Sequence, residues 1–268
     1  MLLVLCKALH LIKLGGSVIT RPGCDNKFYA ENMQRIAREL LATHEPIILV
    51  HGTGHVGKPP AIEHGYADTG IIPASNTALS VSVRRDLQRL NEHVVQTLLD
   101  VGHKVLPLDT GRYFNADGSD LTQTGSARTL EQLTASGIIP IFHGDMVQLR
   151  DGAFKVVSSD AIMSVLARYL MPDAVYLLTD VDGVYSDLQN GQLIQKFTPV
   201  SLDQMQNYDT DDLDVSGGMR AKVQHALAMA AHCQRCVIAS GLREGVITRL
   251  LTGQDERCTI VDSSDAIV

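Results

Sequence analysis

The sequence predicts an α/β fold with a mainly parallel central sheet. Short apolar runs rich in β-branched residues alternate along the whole chain with longer segments of helical periodicity. Several of these runs lead directly into loops rich in glycine or aspartate, and open parallel sheets place their ligands at such loops. We expect a single domain, 1–268, with a soft division after Val157, where a second group of such loops begins.

Composition indicates a chain with an ample core and an excess of negative charge. Hydrophobic residues make up 45% of the 268 residues, and the formal net charge is −7. That charge argues against a nucleic-acid surface and against binding to an anionic membrane, although it leaves room for a local basic site. Because Lys7, His10 and Lys13 interrupt the apolar N-terminus, we interpret it as a leader into the first strand, not as a signal peptide or membrane span.

The five cysteines do not form the pattern of a disulfide framework. Only Cys233 and Cys236 make a CxxC pair, and no second pair of ligands accompanies it. We therefore expect ordinary buried thiols and no zinc or redox site. This cysteine usage is typical of a reducing compartment and predicts a cytoplasmic protein.

The first half begins with an imperfectly alternating strand that ends at a diglycine. Apolar residues at helical spacing then predict helices, and turn signals at 115–118 and 151–152 predict hairpins. We expect three arginines of the longest helix, Arg84, Arg85 and Arg89, on a solvated face. The expected elements are a strand at 8–14, a helix at 28–42, a strand at 47–50, an irregular stretch at 59–75, a helix at 76–99, a strand at 101–108, a loop or hairpin at 109–124, a helix at 129–136, a strand at 138–142 and a hairpin at 148–157.

The second half continues the same alternation of strands and helices. Ser159 or Asp160 is suited to cap its first helix, because a short polar side chain accepts from the unpaired amides of the first turn. The expected elements are a helix at 161–170, a strand at 174–178, a small hairpin at 191–197, an acidic mobile loop at 209–214, a helix at 220–231, a strand at 236–239, a helix at 245–251 and an edge strand at 259–261.

One glycine-rich loop follows the buried strand at 47–50. Glycine lets a ligand approach the backbone amides, and a strand that enters such a loop before a helix is a common phosphate site. An ordinary strand-to-helix turn is the alternative, because the loop is not a Walker A motif: Pro59 stands where serine or threonine is needed. The loop combines three glycines with three protonatable side chains: Gly52, Gly54, Gly57, His51, His55 and Lys58.

Four further loops follow predicted strands or open predicted helices, at 13–17, 144–145, 179–185 and 216–222. Phosphoryl transfer needs cations around the moving group and little covalent chemistry. If the loops converge, Lys13 and Lys222 supply that charge and Asp160 holds both lysines. For Lys13 alone, a solvated lysine at a strand end is the simpler interpretation.

Six motifs follow one another along nearly the whole chain: Lys13-Leu-Gly-Gly-Ser-Val-Ile-Thr20, His51-Gly-Thr-Gly54, Gly144-Asp145, Ser158-Ser-Asp160, Thr179-Asp-Val-Asp-Gly-Val-Tyr185 and Gly217-Gly-Met-Arg-Ala-Lys222. Together, and in this order, they resemble the motifs of the amino acid kinase family. Within that family, the chain looks most like the isopentenyl phosphate kinases, with fosfomycin-phosphorylating kinases as near relatives.

The resemblance implies an open αβα sandwich that binds the phosphate acceptor in 1–157 and ATP in 158–268. It implies that Lys13 bridges the transferring phosphoryl group, Asp160 orients the lysines and Lys222 contacts ATP. Mg²⁺ is expected to arrive with ATP, so we name no protein metal ligand. The implied acceptor-side residues are Gly15, Gly16, Ser17, His51, Gly52, Thr53, Gly54, Gly57, Gly144 and Asp145. The implied nucleotide-side residues are Thr179, Asp180, Val181, Asp182, Gly183, Tyr185, Gly217, Gly218, Met219 and Lys222.

Two departures from the family pattern fall on the acceptor side. A gap-free match places Lys58 where isopentenyl phosphate kinases carry a phosphate-binding histidine. Either Lys58 takes that role as a point charge, or His55 takes it from three residues earlier. Relatives also carry a second lysine soon after the first motif, and Arg21 or Lys27 is its candidate replacement here.

The resemblance implies ATP-dependent phosphorylation of a small monophosphate, foremost isopentenyl phosphate to its diphosphate, by a homodimer. An apolar pocket for the acceptor's hydrocarbon tail is then required, and the helix at 79–94, Ile141 and Met146 are candidates for its wall or for plain core. The alternatives are a kinase for fosfomycin, another phosphonate or a small acid, with a smaller and more polar pocket, and a non-catalytic regulator that binds nucleotide or an oxyanion.

Overall fold

A mixed, mostly parallel sheet forms the centre of the molecule. The computed structural model describes residues 8–117, 120–186, 191–204, 218–254 and 256–264. The strands in chain order are β1 (His10–Leu14), β2 (Ile47–His51), β3 (Ile71–Ile72), β4 (Val105–Pro107), β5 (Phe114–Asp117), β6 (Asp120–Gln123), β7 (Ile139–His143), β8 (Asp145–Gln148), β9 (Phe154–Val157), β10 (Ala174–Thr179), β11 (Lys196–Phe197), β12 (Arg235–Ser240) and β13 (Cys258–Val261).

Eight of these strands make the central sheet, in the spatial order β11-β13-β12-β10-β1-β2-β7-β4. The pairs from β12 to β4 are all parallel, and β13 runs antiparallel to β12. Strands β3, β9 and β8 form a small antiparallel sheet, and β5 and β6 form a hairpin. The predicted α/β class with a mainly parallel sheet is therefore confirmed.

Helices cover both faces of the sheet and complete the expected αβα sandwich. Apolar side chains of α6, α7 and α9 share one core cluster with Leu11 of β1. Side chains of α2, α4 and α10 share the opposite cluster with Ile12. The helices are α1 (Gly16–Ile19), α2 (Ala30–Glu39), α3 (Gly54–Glu63), α4 (Thr77–Val101), α5 (Thr110–Tyr113), α6 (Ala127–Ala135), α7 (Ser159–Leu170), α8 (Pro199–Gln204), α9 (Gly218–Ala230) and α10 (Val246–Leu251).

The strand register brings the predicted loops to one edge of the sheet. Leu14 at the end of β1 pairs with Leu178 of β10 and with His51 at the end of β2. His51 in turn pairs with His143 at the end of β7. Because these strands are parallel, the loops that follow them lie side by side, as sequence reasoning required.

Three local expectations differ from the structure. The stretch after residue 58 continues helix α3 to Glu63, where an irregular segment was expected. Strand β13 lies between β12 and β11 and is not an edge strand. Residues 196–197 pair in parallel with β13, so the hairpin expected at 191–197 is replaced by a bridge between Tyr185 and Leu193. The acidic loop expected at 209–214 lies outside the described residues.

Helix α3 tolerates two prolines because another group satisfies the carbonyl that one of them leaves unpaired. Pro59 has no N–H to donate to the carbonyl of His55, four residues earlier. Lys27 Nζ donates to that carbonyl instead, at 3.0 Å. Within the residues described, no helix is at once long and apolar enough to cross a membrane.

Candidate active site

A buried ion pair between Lys13 and Asp160 lies at the centre of the loop-bearing edge. Alternation along β1 points Lys13 to the same face as Leu11, toward helix α7. Its Nζ lies 2.5 Å from Asp160 Oδ2, and the two side chains are 6% and 16% exposed. Asp160 belongs to the first turn of α7, which Ser158 caps by accepting from the amide of Ala161. A carboxylate suits this position because the helix N-terminus favours negative charge.

Lys222 approaches the same carboxylate from helix α9. Its Nζ donates to Thr179 Oγ1 at 2.9 Å, and that hydroxyl donates to Asp180 Oδ1 at 3.0 Å. Burial alone would raise the pKa of Asp160, but the adjacent cations, Lys13 first and then Lys222, outweigh burial and hold the pKa below its ordinary value. The structure therefore brings together an ionised aspartate and two lysines from three separate segments.

Glycines allow the loop after β1 and the loop after β2 to pack backbone against backbone beside Lys13. A Cβ atom on Gly16 would lie 2.2 Å from the amide nitrogen of Gly54. Conversely, a Cβ on Gly52 would lie 2.6 Å from the nitrogen of Gly16, and Gly54 has a positive φ of 44°. Thr20 also joins the loops, since its Oγ1 donates to the carbonyl of Gly16 and accepts from the amide of His55. Any side chain at these glycines would separate the two loops.

A cavity of about 450 Å³ opens over these loops, and two chemically different groups of side chains line it. Lys13, Asp160 and Lys222 lie together in one group, and Lys58 and the glycine loops also line the cavity. The other group forms an apolar end with walls from α3, α4, β8, β9 and the segment after α3: Ala61, Tyr66, Ala67, Val83, Leu87, Met146 and Val156. The lining can accommodate an anionic group beside the lysines and a small hydrocarbon against the apolar side chains.

The acceptor-side candidates line this cavity with one exception. The residues found there are Gly15, Gly16, Ser17, Gly52, Thr53, Gly54, Gly57, Gly144 and Asp145, with His55 and Lys58. Lys27 reaches the same loop through the carbonyl of His55, whereas the guanidinium of Arg21 lies over the ring of Tyr29, 5.3 Å from its centroid.

The exception is His51, which lies behind the glycine loop and not in the cavity. It is fully buried, with Nε2 3.1 Å from Asn91 Oδ1 and Nδ1 2.9 Å from the carbonyl of Gly52. Its ring stacks on that of His143, with centroids 5.4 Å apart. Burial lowers the pKa of His51 to about 4. The sequence grouped His51 with the acceptor-side residues, but in the structure its side chain is buried behind the loop and does not line the cavity.

Asp145 lines the cavity and belongs to a buried polar cluster. Its Oδ2 is 3.8 Å from Arg84 Nη2 and 3.9 Å from His143 Nε2, and Arg84 also lies 3.2 Å from Asp109 Oδ2. Burial raises the pKa of Asp145, although His143 and Arg84 act in the opposite direction. Arg84 was expected on a solvated face and instead turns toward this cluster, whereas the other two arginines of that expectation are exposed.

The nucleotide-side candidates divide into those at the cavity and those beside it. Asp180 and Lys222 line the cavity, and Thr179 links them. Asp182 accepts from the Tyr185 hydroxyl at 3.1 Å and pairs with two arginines of the neighbouring segments. Val181, Asp182, Gly183, Tyr185 and Met219 do not line the cavity. Gly218 begins α9, and Gly217 lies outside the described residues.

Sequence reasoning did not identify most of the apolar end. Val83, Leu87 and Met146 belong to the segments proposed for it, but Ile141 is buried in the opposite core cluster. Tyr66, Ala67 and Val156 come from a turn and an antiparallel strand, and their apolar side chains carry no signal that distinguishes a pocket wall from core. The expected cap of α7, Ser159 or Asp160, is wrong: Ser158 is the cap, and the helix begins at Ser159.

No metal-binding cluster occurs within the described segments: they contain no group of three or more His, Cys, Asp or Glu side chains arranged to hold an ion. Asp160 and Asp180 are already engaged with Lys13 and Thr179. We therefore assign magnesium neither a ligand among the described residues nor a step of its own.

Comparison with known proteins gives a consistent result. Residues 9–240 match the amino acid kinase family. The isopentenyl phosphate kinase of Methanothermobacter thermautotrophicus is 29% identical over 259 residues, covering 93% of this chain and 97% of that protein. The isopentenyl phosphate kinase of Haloferax volcanii is 32% identical over 232 residues, covering 84% and 89%. A solved structure of isopentenyl phosphate kinase superposes with a TM-score of 0.79 at 26% identity, covering 94% of this chain and 99% of that one.

Proposed function

The chain belongs to the amino acid kinase family and is a phosphotransferase, and we propose that it transfers the γ-phosphate of ATP to isopentenyl phosphate. The observation that carries this proposal is that one cavity is lined both by Lys13 and Lys222 and by a cluster of apolar side chains. A small monophosphate with a short hydrocarbon tail matches both ends at once. The names of the similar kinases support the same acceptor.

In the proposed mechanism, the lysines stabilise charge on the transferring group. Phosphoryl transfer spreads negative charge over the moving phosphoryl oxygens, so fixed cations lower the barrier. Lys13 and Lys222 approach that group from β1 and α9, and Asp160 holds both side chains in place from α7. An oxygen of the acceptor phosphate attacks the γ-phosphorus as the bond to ADP breaks.

This chemistry needs no general base from the protein. A monophosphate with its second pKa near 6 is largely a dianion at neutral pH, and its attacking oxygen carries no proton. Asp160 is consistent with this, because its carboxylate is bound to Lys13 and its pKa is held low. An acceptor that reacts through a hydroxyl group would need a general base, and we assign the role of general base to none of the residues that line the cavity.

We assign the acceptor phosphate to the glycine loops and to the start of α3. Helix N-termini favour anions, and α3 begins at Gly54 on the cavity wall. Lys58 is our first candidate for the side chain that binds the acceptor phosphate, with His55 as the alternative. Lys27 is our candidate for the second lysine of the family, because it contacts the carbonyl of His55.

We propose that residues 1–157 serve the acceptor and 158–268 serve ATP. Thr179, Asp180 and the start of α9 would then border the nucleotide phosphates, with the turn at 181–185 farther along the nucleotide. We propose that Mg²⁺ is bound mainly by ATP oxygens and water. We also propose a homodimer, which sedimentation equilibrium would test.

The apolar end favours isopentenyl phosphate over a phosphonate such as fosfomycin, which needs a smaller and more polar pocket. The test is a coupled ADP-release assay with Mg²⁺ and ATP against isopentenyl phosphate, dimethylallyl phosphate, fosfomycin, carbamate and acidic amino acids. We expect the highest kcat/KM with isopentenyl phosphate. A higher kcat/KM with fosfomycin or an amino acid would keep the kinase and reject the isoprenoid acceptor.

A further inference from the structure

His225 has no place in the mechanism described so far, yet it lies against the catalytic cluster. It is half-buried on α9, three residues after Lys222, so the two side chains share one side of the helix. Helices α7 and α9 pack against each other, and His225 lies at their contact. The residue therefore connects the helix that carries Lys222 to the helix that carries Asp160.

The hydrogen bonds around Ser164 support an assignment of the ring nitrogen of His225 that carries a proton. Ser164 Oγ donates to the backbone carbonyl of Asp160 at 3.0 Å, and a carbonyl can only accept. The single hydroxyl proton of Ser164 is thereby used. His225 Nδ1 lies 3.0 Å from the same Oγ, and we assign Nδ1 as the donor in that contact because the hydroxyl proton is directed at the carbonyl. A neutral His225 is then the Nδ1–H tautomer.

Burial favours the neutral form of His225 by lowering its pKa. Of the neighbouring charges, Asp160 acts against burial and Lys13 acts with it. These groups face the ring from α7 and β1, and Lys222 lies one turn earlier on the same helix. A neutral donor can join two helices here without adding a third cation beside the lysines.

We propose that His225 is a positioning residue that, through Ser164, holds α9 against the first turn of α7. The inference rests on the proposed phosphoryl transfer, because what it fixes is the distance between Lys222 and the carboxylate of Asp160. One oxygen of that carboxylate, Oδ1, is buried and has no hydrogen-bond partner in the described part of the chain. A small shift of α9 would therefore change the distance from Lys222 Nζ to this oxygen, while Lys13 on β1 would stay in place.

Kinetics of four single variants and of the Ser164→Ala/His225→Leu double variant test this role. We expect Ser164→Ala and His225→Leu each to lower kcat about 10-fold while both KM values stay within about 2-fold, because orientation of charge acts in the transition state. The double variant should also lose about 10-fold, not about 100-fold, since both changes break one link. His225→Asn should keep kcat within about 3-fold of wild type, because its amide nitrogen takes the place of Nδ1.

His225→Gln is the matched control, because its amide reaches the Nε2 position and misses Ser164. We expect it to resemble His225→Leu. Additive losses in the double variant, or equal activity of the Asn and Gln variants, would overturn the proposal. Each variant is compared at a temperature at which circular dichroism shows it folded.

A second measurement needs neither variants nor a known acceptor. Long-range ¹H–¹⁵N NMR of the wild-type protein should show His225 as the Nδ1–H tautomer, and this signal should change in Ser164→Ala. An Nε2–H tautomer would overturn the relay from Nδ1–H through Ser164 to the Asp160 carbonyl, whatever the acceptor is, because the Ser164 hydroxyl would then donate to Nδ1. If isopentenyl phosphate is not turned over, the acceptor proposal fails, while the tautomer and the kinetic cycle with an accepted substrate still decide the role of His225.

Discussion

Replacing Asp160 with asparagine removes one charge from the centre of the cluster and keeps the shape of the side chain. At the 2.5 Å separation of Lys13 Nζ and Asp160 Oδ2, Coulomb attraction is roughly 7 kcal/mol for an effective dielectric constant of about 20. The cost of removing both groups from water offsets part of this. Breaking one partner of a buried pair typically costs 3–5 kcal/mol, so we expect Asp160→Asn to lose about 3 kcal/mol of unfolding free energy.

For a chain of 268 residues, that loss corresponds to a Tm about 5 °C lower. Urea unfolding at pH 7 measures the free energy, and differential scanning calorimetry measures Tm. Asp180→Asn is the matched control: it makes the same chemical change at an exposed position of the same cavity, and we expect less than about 0.5 kcal/mol. We also expect kcat of Asp160→Asn to fall at least about 100-fold, because both lysines lose their common anchor. A stable Asp160→Asn variant with normal kcat would refute the ion-pair reasoning.

The remaining predictions concern turnover, acceptor binding and pH. Lys13→Ala and Lys222→Ala should each lower kcat at least about 100-fold, and near-normal turnover in either would remove that lysine from the mechanism. Lys58→Ala should raise KM for the acceptor more than KM for ATP; an unchanged acceptor KM, with a raised one in His55→Ala, would assign the role to His55. Because the folded-state pKa of His51 lies near 4, below the ordinary 6.5, unfolding free energy should be fully present above pH 6.5. It should fall by up to about 3 kcal/mol as pH drops toward 4. Urea unfolding between pH 7 and pH 4 measures this loss in wild type, and we expect the loss to be absent in His51→Gln. The same dependence of unfolding free energy on pH in both proteins would contradict the prediction.

The sequence predicted the fold and the converging loops because both depend on local patterns. Strand patterns at β1, β2 and β10 follow from short apolar runs, and parallel strands bring their following loops to one edge. The pairing of Lys13 with Asp160 was a hypothesis that depended on this convergence. The structure brings the two residues into contact, and their roles in catalysis remain predictions.

Other features could not be predicted because they depend on distant packing. His51 is buried because the last residue of β2 faces the interior of the molecule. The glycine-rich sequence that follows does not indicate which way this residue faces. The helical course of α3 through Pro59 depends on Lys27, which lies 32 positions earlier and satisfies the carbonyl of His55. The apolar end of the cavity combines residues from several segments, and each looks like ordinary core in isolation.

The most direct test of the proposed function is to follow the phosphorus atoms themselves. The protein is mixed with MgATP and isopentenyl phosphate, and ³¹P NMR is recorded over time, with Lys13→Ala as the control. We predict that the monophosphate signal is replaced by the two coupled doublets of a diphosphate ester, in equal amount with ADP, and that the control shows neither. ADP accompanied only by inorganic phosphate, or an unchanged isopentenyl phosphate signal while another acceptor is phosphorylated, would contradict the assignment.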